Sequence, residues 1–392
     1  MDCTSYLRWW LYKYTNHHRK DLVLLTGSAS LKGVIMQNFA RHWTWATPVI
    51  AWLLLAANFA AAVPVLLLAV VLIATVLAAV HHAELVAHRV GEPFGTFLLA
   101  VAVTIIELGL IVTLMLEAGA GAASLARDTV FAAVMIILNG LIGACIFIGA
   151  IVHKEQIFKQ TGVSASLATL CALTVLTLVL PNFTVTERGP VYSESQLGFV
   201  AIVSFLLYAM FVAVQTVRHR DYFLPAKTMA ADIDIHADPP TNRQTAISGV
   251  ALLACLGSVV LLAKTLAPAI EGGVASAGAP RALVGVIIAA LVLMPESVAA
   301  VRAALANRLQ TSLNLGLGSA LATIGLTIPA VAALSLFMGL PITLGLDNKG
   351  MALLFLTLVV TTLTLGTGKT TVLQGAVHLI IFAVYLFTTV VN

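Results

Sequence analysis

The chain has 392 residues, of which 60% are hydrophobic and 10% are charged, and its formal net charge is +4. Ordinary soluble domains carry about 25% charged residues, so this composition excludes a soluble globular protein and predicts one that crosses a membrane several times. The small positive charge is scattered along the chain, which excludes nucleic acid as a predicted partner, because nucleic-acid-binding proteins concentrate basic residues on one surface.

Residues 1–44 are polar and basic and are predicted to form a cytoplasmic tail; because Met36 directly precedes the first hydrophobic segment, the alternative is that residues 1–35 result from an upstream start. No apolar core follows a short basic start, as a cleavable signal peptide would require. A stretch rich in Gly, Ala and Ser at 272–280 is predicted to be a periplasmic loop. The apolar segments predict eleven transmembrane helices, at residues 45–61, 63–84, 94–117, 128–152, 163–181, 195–217, 245–266, 281–304, 312–338, 350–366 and 370–391.

The Lys and Arg residues predict the orientation of these helices. When the loops are assigned alternately to two sides, the 21 basic residues divide 16 to 5, with the N-terminus on the richer side. Cytoplasmic loops carry the excess of Lys and Arg, so the N-terminus is predicted to be cytoplasmic and Asn392 periplasmic. The predicted location is the inner membrane of a bacterial cell.

The eleven predicted helices divide into one extra N-terminal helix and two sets of five. The predicted domains are the tail at 1–44, an extra transmembrane helix at 45–62, a first repeat at 63–218, a cytoplasmic linker at 219–244 and a second repeat at 245–392. Because five is odd, the second set enters the membrane from the opposite side, which makes the two sets an inverted repeat. The predicted fold class is an all-α polytopic membrane protein.

Two glutamates lie deep within the predicted spans, one in each set of five helices. Glu107 interrupts an otherwise uncharged run from Pro93 to Leu116, and Glu296 is the only charge between residues 282 and 301. Each lies about 20 Å from the start of its helix, which is within roughly 6 Å of the bilayer midplane. A charge there costs roughly 2.5–3.5 kcal/mol and usually marks an ion or proton pathway. A glutamate that only forms hydrogen bonds inside the helix bundle is the less favoured alternative.

Oxygen atoms near the two glutamates are the predicted further ligands. Thr104 precedes the first glutamate by three residues, so the two side chains share a helix face. Pro295 has no N–H, which leaves the carbonyl of Leu291 without its helical partner and available to a hard cation. Small and polar residues on the helix after each glutamate either bind the ion or permit close helix packing. The candidate ligands among them are Asn139 and Ser319.

Four titratable residues lie at the end of the second predicted helix: His81, His82, Glu84 and His88. His81, Glu84 and His88 share one helix face. They predict a cytoplasmic mouth that gathers protons or cations, because histidine titrates near neutral pH. An intramembrane metalloenzyme is the rival class, but the His-Glu-x-x-His sequence of hydrolytic zinc enzymes is absent. A membrane scaffold that transports nothing leaves the paired glutamates unexplained.

Two segments resemble a known transporter family. Residues 81–115 and 291–329 are similar to the two repeats of the ChaA-type bacterial calcium/proton antiporters, which belong to the calcium/cation antiporter superfamily. The resemblance implies an inner-membrane exchanger of Ca²⁺, and of Na⁺ or K⁺, against H⁺. It implies that Glu107 and Glu296 are the ion- and proton-binding glutamates and that Gly318–Ser319 is the Gly-Ser of the second repeat. The chain departs from the wider cation/proton exchanger pattern at Ala322, where a glutamine is expected.

The predicted function is secondary active export of Ca²⁺, with Na⁺ or K⁺ as secondary substrates, in exchange for H⁺ at the two midplane glutamates. A monovalent Na⁺(K⁺)/H⁺ antiporter is the alternative. The predicted contacts of the protein are membrane lipid and the transported cations and protons. No cofactor is predicted, and the sequence predicts no particular oligomeric state.

Overall fold

The structure is a computed structural model that describes residues 31–60, 63–90, 94–118, 123–224, 240–280 and 282–391. Most of the predicted tail at 1–44 and residues 225–239 of the predicted linker therefore lie outside the described residues.

Nearly all of the described chain is helical. The helices are α1 Leu31–Ala60, α2 Val65–Val90, α3 Phe94–Ala118, α4 Leu125–His153, α5 Gln160–Asn182, α6 Glu194–Arg218, α7 Asn242–Ser276, α8 Ala282–Leu305, α9 Leu309–Met338, α10 Asn348–Leu365 and α11 Val372–Val390. Four of them contain a π-helical segment, at Ile136–Leu141, Val175–Val179, Val214–Arg218 and Thr323–Thr327. Two short strands, β1 Gln156–Ile157 and β2 Lys369–Thr370, pair antiparallel and join the turn after α4 to the turn after α10.

Eight of the described helices are long and apolar enough to cross a bilayer: α2, α4, α5, α6, α7, α9, α10 and α11. α8 becomes a ninth if its two halves count as one span, because Ala282–Met294 and Glu296–Leu305 meet at an angle of 55°. α1 and α3 contain shorter apolar segments, at Trp43–Phe59 and Thr104–Thr113. The predicted all-α polytopic fold is confirmed, whereas the count of eleven spans stays a prediction.

The structure differs from the prediction in three details, two of them in helices and one in strands. α7 continues to Ser276, so most of the predicted loop at 272–280 is helical, because its alanines favour helix and the first proline after Pro268 is Pro280. α1 is already helical at Leu31, before the predicted start at residue 45. The two-residue strands were not predicted, since they are too short to show an alternating pattern.

The buried side chains form two hydrophobic cores. One is built mainly from α4, α5, α6, α9, α10 and α11, and the other from α1, α2 and α7. α3 and α8 contribute to both cores: Ile111 and Leu293 belong to the first, whereas Ile106 and Val292 belong to the second. The two helices that carry the buried glutamates therefore lie at the boundary between the two cores.

The contacts between the two sets of five helices correspond pairwise. When α2–α6 are matched in order with α7–α11, α3 corresponds to α8 and α4 corresponds to α9. The packing of α8 against α4 therefore corresponds to the packing of α3 against α9, and both contacts are present. The packing of α11 against α4 likewise corresponds to that of α6 against α9. This is the contact pattern expected of two related five-helix units, and the inversion of one relative to the other stays a prediction.

Glycines allow α4 and α11 to pack with their backbones in contact. A Cβ added at Gly375 would lie 2.4 Å from the backbone nitrogen of Phe147, and one added at Gly143 would lie 2.8 Å from the Cβ of His378. Small residues at helix crossings permit this close approach inside a membrane. The contact fixes the position of α4, against which α8 also packs.

Candidate ion-binding site

Glu107 lies in the middle of α3 with only 3% of its surface exposed. The hydroxyl of Thr323, in the π-helical segment of α9, donates a hydrogen bond of 2.9 Å to Oε2 of Glu107. The other carboxylate oxygen, Oε1, is buried and has no hydrogen-bond partner among the described residues. An acceptor left in this state loses its hydration without compensation, which is typical of an oxygen that binds a ligand.

Glu296 lies on α8 where the helix changes direction by 55°. Its side chain is 8% exposed, and Oε2 is buried without a hydrogen-bond partner in the described part of the chain. A bend at this point follows from Pro295, which lacks the N–H that would continue the helical hydrogen bonds.

The fold brings the two glutamates together from distant parts of the sequence. α3, which carries Glu107, packs against α8, which carries Glu296. Each carboxylate has one buried oxygen without a partner among the described residues, so the pair offers two negative charges and two unsatisfied acceptors inside the bundle. Such a pair is chemically suited to a hard cation or to protons, because either one would neutralise the buried charge.

Three other predicted ligands lie on the helices around this pair: Thr104, Ser319 and Leu291. Thr104 is buried one turn before Glu107 on α3. Ser319 is partly buried and precedes Thr323 by four residues, so it lies on the same face of α9 one turn away. Leu291 is partly buried in the first half of α8, before the bend. A role for these three residues in binding the ion stays a prediction.

Thr323 is the glutamate partner that the sequence reasoning did not select. The available signal was the spacing of Ser319, Thr323 and Thr327, which places three hydroxyls on one face of an apolar helix. Ala322 stands where the wider family pattern has glutamine, and the neighbouring Thr323 supplies an oxygen to the first glutamate. The site therefore has one neutral oxygen, the hydroxyl of Thr323, that was not counted among the predicted ligands.

Asn139 contacts a different group of residues. Its amide nitrogen donates to the hydroxyl of Thr357 at 2.9 Å, and its amide oxygen lies 3.1 Å from Nδ1 of His378. Nε2 of that histidine lies 3.2 Å from the hydroxyl of Thr364. These hydrogen bonds join α4 to α10 and α11 and not to the glutamates. Binding of the transported ion by Asn139 stays a prediction without a contact to support it, and His378 was not selected from the sequence.

The predicted cytoplasmic mouth is only partly present on the surface. Glu84 and His88 are exposed on α2, and His81 is partly exposed. His82 is fully buried, with Nε2 3.0 Å from the backbone oxygen of Thr44 and its ring 4.5 Å from that of Trp45 on α1. The assignment of His82 to the mouth is therefore corrected. α1 covers this face of α2, and His82 contacts α1 instead of the surface.

Within the described residues, no group of three or more His, Cys, Asp and Glu side chains is placed to hold a metal ion. The spacing of His81, Glu84 and His88 along one helix face therefore does not produce a metal centre in this part of the chain. The two glutamates remain as the group suited to a cation that is carried as substrate.

Comparisons with known proteins identify the family. The profile of the family described as sodium/calcium exchanger protein matches residues 58–217 and 247–391. The putative ionic transporter y4hA of Sinorhizobium fredii is 48% identical over 355 residues, which cover 89% of this chain and 96% of that protein. The sodium-potassium/proton antiporter ChaA of Escherichia coli is 34% identical over 310 residues, which cover 79% of this chain and 84% of that protein. These relatives are transporters, so the metalloenzyme alternative is wrong.

Solved structures share the fold. Native YfkE superimposes with a TM-score of 0.68 at 17% identity, over 89% of this chain and 100% of that one. The H⁺/Ca²⁺ exchanger CAX superimposes with a TM-score of 0.66 at 16% identity, over 88% of each chain. The family match over most of the sequence and the close relatives confirm the resemblance found in the sequence. This chain therefore belongs to the sodium/calcium exchanger protein family and is a multi-pass cation antiporter.

Proposed function

We propose that this antiporter exports Ca²⁺ in exchange for H⁺ and that Glu107 and Glu296 bind the cation and the protons alternately. The observation that supports the proposal is the pair of buried carboxylates, each with one unpartnered oxygen, on two neighbouring helices. The further candidate ligands in this proposal are Thr104, Ser319 and the carbonyl of Leu291. Na⁺ and K⁺ are secondary substrates.

Charge balance favours a divalent cation at this site. Two carboxylates neutralise one Ca²⁺, and two protons replace it without leaving net charge inside the membrane. A single Na⁺ between two ionised carboxylates leaves one negative charge unpaired, which is expensive in this environment. The pair is therefore suited to exchange of one divalent cation for two protons.

The position of the glutamates also suits alternating access. α3 and α8 contribute to both hydrophobic cores, so a rocking of one core against the other opens the site first to one side and then to the other. In this proposal the protein lies in the bacterial inner membrane, with the N-terminus and the 219–244 linker cytoplasmic and Asn392 periplasmic. The 16 to 5 division of Lys and Arg supports that orientation.

Monovalent exchange is the second candidate. The Escherichia coli relative that is 34% identical to this chain is named a sodium-potassium/proton antiporter. A Ca²⁺ site needs 6–8 oxygen ligands, and Ala322 supplies none where the wider pattern has glutamine. If one glutamate stays protonated, a monovalent ion also leaves the site neutral.

A cation titration in everted membrane vesicles separates the two candidates. A pH gradient is formed first, and Ca²⁺, Na⁺ and K⁺ are then added separately to vesicles that contain the protein and to vesicles that lack it. We expect Ca²⁺ to dissipate the gradient at the lowest concentration and Na⁺ to compete only weakly. Dissipation by Na⁺ or K⁺ but not by Ca²⁺ would show that the divalent assignment is wrong, while no response to any cation would refute the proposed exchange.

A further inference from the structure

Two threonines in the described helices, Thr129 on α4 and Thr327 on α9, have a buried hydroxyl without a hydrogen-bond partner. The hydroxyls of Thr75, Thr177 and Thr361 each donate to the backbone carbonyl four residues earlier. Thr327 is 0% exposed, and its hydroxyl has no hydrogen-bond partner among the described residues. A fully buried polar group without a partner is unfavourable for folding. Thr327 lies in the π-helical segment of α9 that packs against α3, the helix that carries Glu107.

The geometry of α9 gives the direction of this hydroxyl. A Cβ added at Gly325 would lie 2.5 Å from the Cβ of Tyr208, so Gly325 faces α6. Residues two apart point in nearly opposite directions in an α-helix, and also in a π-helical segment such as Thr323–Thr327. Thr323 and Thr327 therefore both face away from α6. α3 lies on that side, because the hydroxyl of Thr323 donates a hydrogen bond to Glu107 on α3.

The distances along the helix suit a shared ligand. Thr327 follows Thr323 by four residues, which is about one turn of the π-helical segment towards the C-terminal end of α9. A hard cation binds oxygens at about 2.3–2.6 Å, so one ion can join oxygens that are about 5 Å apart. Oε1 of Glu107 and the hydroxyl of Thr327 are both buried without a partner among the described residues, and the segment that contains Thr327 packs against α3.

We propose that Thr327 supplies a further oxygen to the cation bound at Glu107 and so extends the ion site by one helical turn towards the C-terminal end of α9. This inference rests on the function proposed above, since it requires that Glu107 bind the cation. The ligand class is a hard cation, and the neutral hydroxyl adds an oxygen without adding charge. Thr327 is then a binding residue that raises cation affinity while the glutamates provide the exchangeable protons.

The experiment compares Thr327→Val and Thr327→Ser with the wild type. Valine has nearly the shape of threonine and removes only the hydroxyl, whereas serine keeps it. Thr177→Val is the matched control, because Thr177 is fully buried in a π-helical segment but donates to Leu173. Two quantities are measured: the apparent KM for Ca²⁺ in everted vesicles and the Ca²⁺-induced rise in melting temperature of the purified protein.

We expect Thr327→Val to raise the apparent KM about tenfold, which corresponds to about 1.4 kcal/mol, and to reduce the Ca²⁺-induced stabilisation. Thr327→Ser and Thr177→Val should keep wild-type values. The melting temperature of Thr327→Val without Ca²⁺ should not fall, because the substitution removes an unsatisfied hydroxyl. A wild-type KM in Thr327→Val, or an equal change in Thr177→Val, refutes the inference.

Glu107→Gln in the same assay separates this inference from the function on which it rests. If Thr327→Val behaves as wild type while Glu107→Gln is inactive, the extended site is refuted and the glutamate site stands. If Glu107→Gln exchanges Ca²⁺ normally, both the proposed function and the role of Thr327 are refuted.

Discussion

Replacement of Glu107 or Glu296 by glutamine is expected to abolish cation-dependent proton movement in everted vesicles. Glutamine has nearly the same size and still accepts the hydrogen bond from Thr323, but it can neither ionise nor exchange a proton. Loss of one of two buried negative charges leaves a divalent cation unbalanced, at a cost of several kcal/mol. We expect the exchange rate to fall at least about 100-fold, equivalent to about 3 kcal/mol, in each variant.

Glu155→Gln is the control for these two substitutions. Glu155 lies at the end of the bundle, where its carboxylate is 3.5 Å from Nζ of Lys369 and both side chains are more than half exposed. Exposed ion pairs of this kind contribute about 0–1 kcal/mol, so the control should transport at the wild-type rate. Full exchange in Glu107→Gln or Glu296→Gln, with normal amounts of protein in the membrane, would contradict the shared-site mechanism.

Gly375→Ala is expected to destabilise the folded transporter by about 2–3 kcal/mol. The added Cβ would lie 2.4 Å from the backbone nitrogen of Phe147, so α4 and α11 must move apart. Their separation also stretches the contact of 3.1 Å between Asn139 and His378, which is fully buried. The change is measured as a lower melting temperature of the purified protein in detergent.

Gly249→Ala provides a control in which the same substitution should act in the opposite direction. A Cβ added at Gly249 would meet no heavy atom within 4 Å, and this glycine lies inside α7. Alanine is favoured over glycine in a helix by about 0.5–1 kcal/mol, so this variant should melt at the same or a higher temperature. Equal melting temperatures for both variants would show that the α4–α11 contact is looser than the structure indicates.

The helices and the two glutamates could be predicted from sequence because both are local signals. A long apolar run identifies a span wherever it packs, and one charge inside such a run is conspicuous. The helix ends were less predictable, since α7 continues through Gly272 and Gly273 without an interruption that composition alone reveals. The sequence pattern therefore identified which residues are unusual but not where every helix stops.

The contacts of these residues could not be predicted, because they depend on how distant helices face each other. Thr323 is 216 residues from Glu107, and its π-helical segment alters the face that α9 presents. Asn139 was an equally reasonable ligand by sequence, but its partners lie on α10 and α11. His82 was assigned to an open mouth because nothing in the sequence of α2 shows that α1 covers it.

Equilibrium binding of Ca²⁺ to the purified wild-type protein, measured over a range of pH, tests most directly whether cation and protons share the glutamates. Metal binding to carboxylates releases the protons they hold, so the Ca²⁺ affinity should fall as the pH falls through the range in which Glu107 and Glu296 titrate. The Kd should rise by up to about 100-fold per pH unit if two protons are displaced, and by about tenfold if one is. A Kd that stays constant across the pH range in which the protein exchanges cations would contradict the shared site.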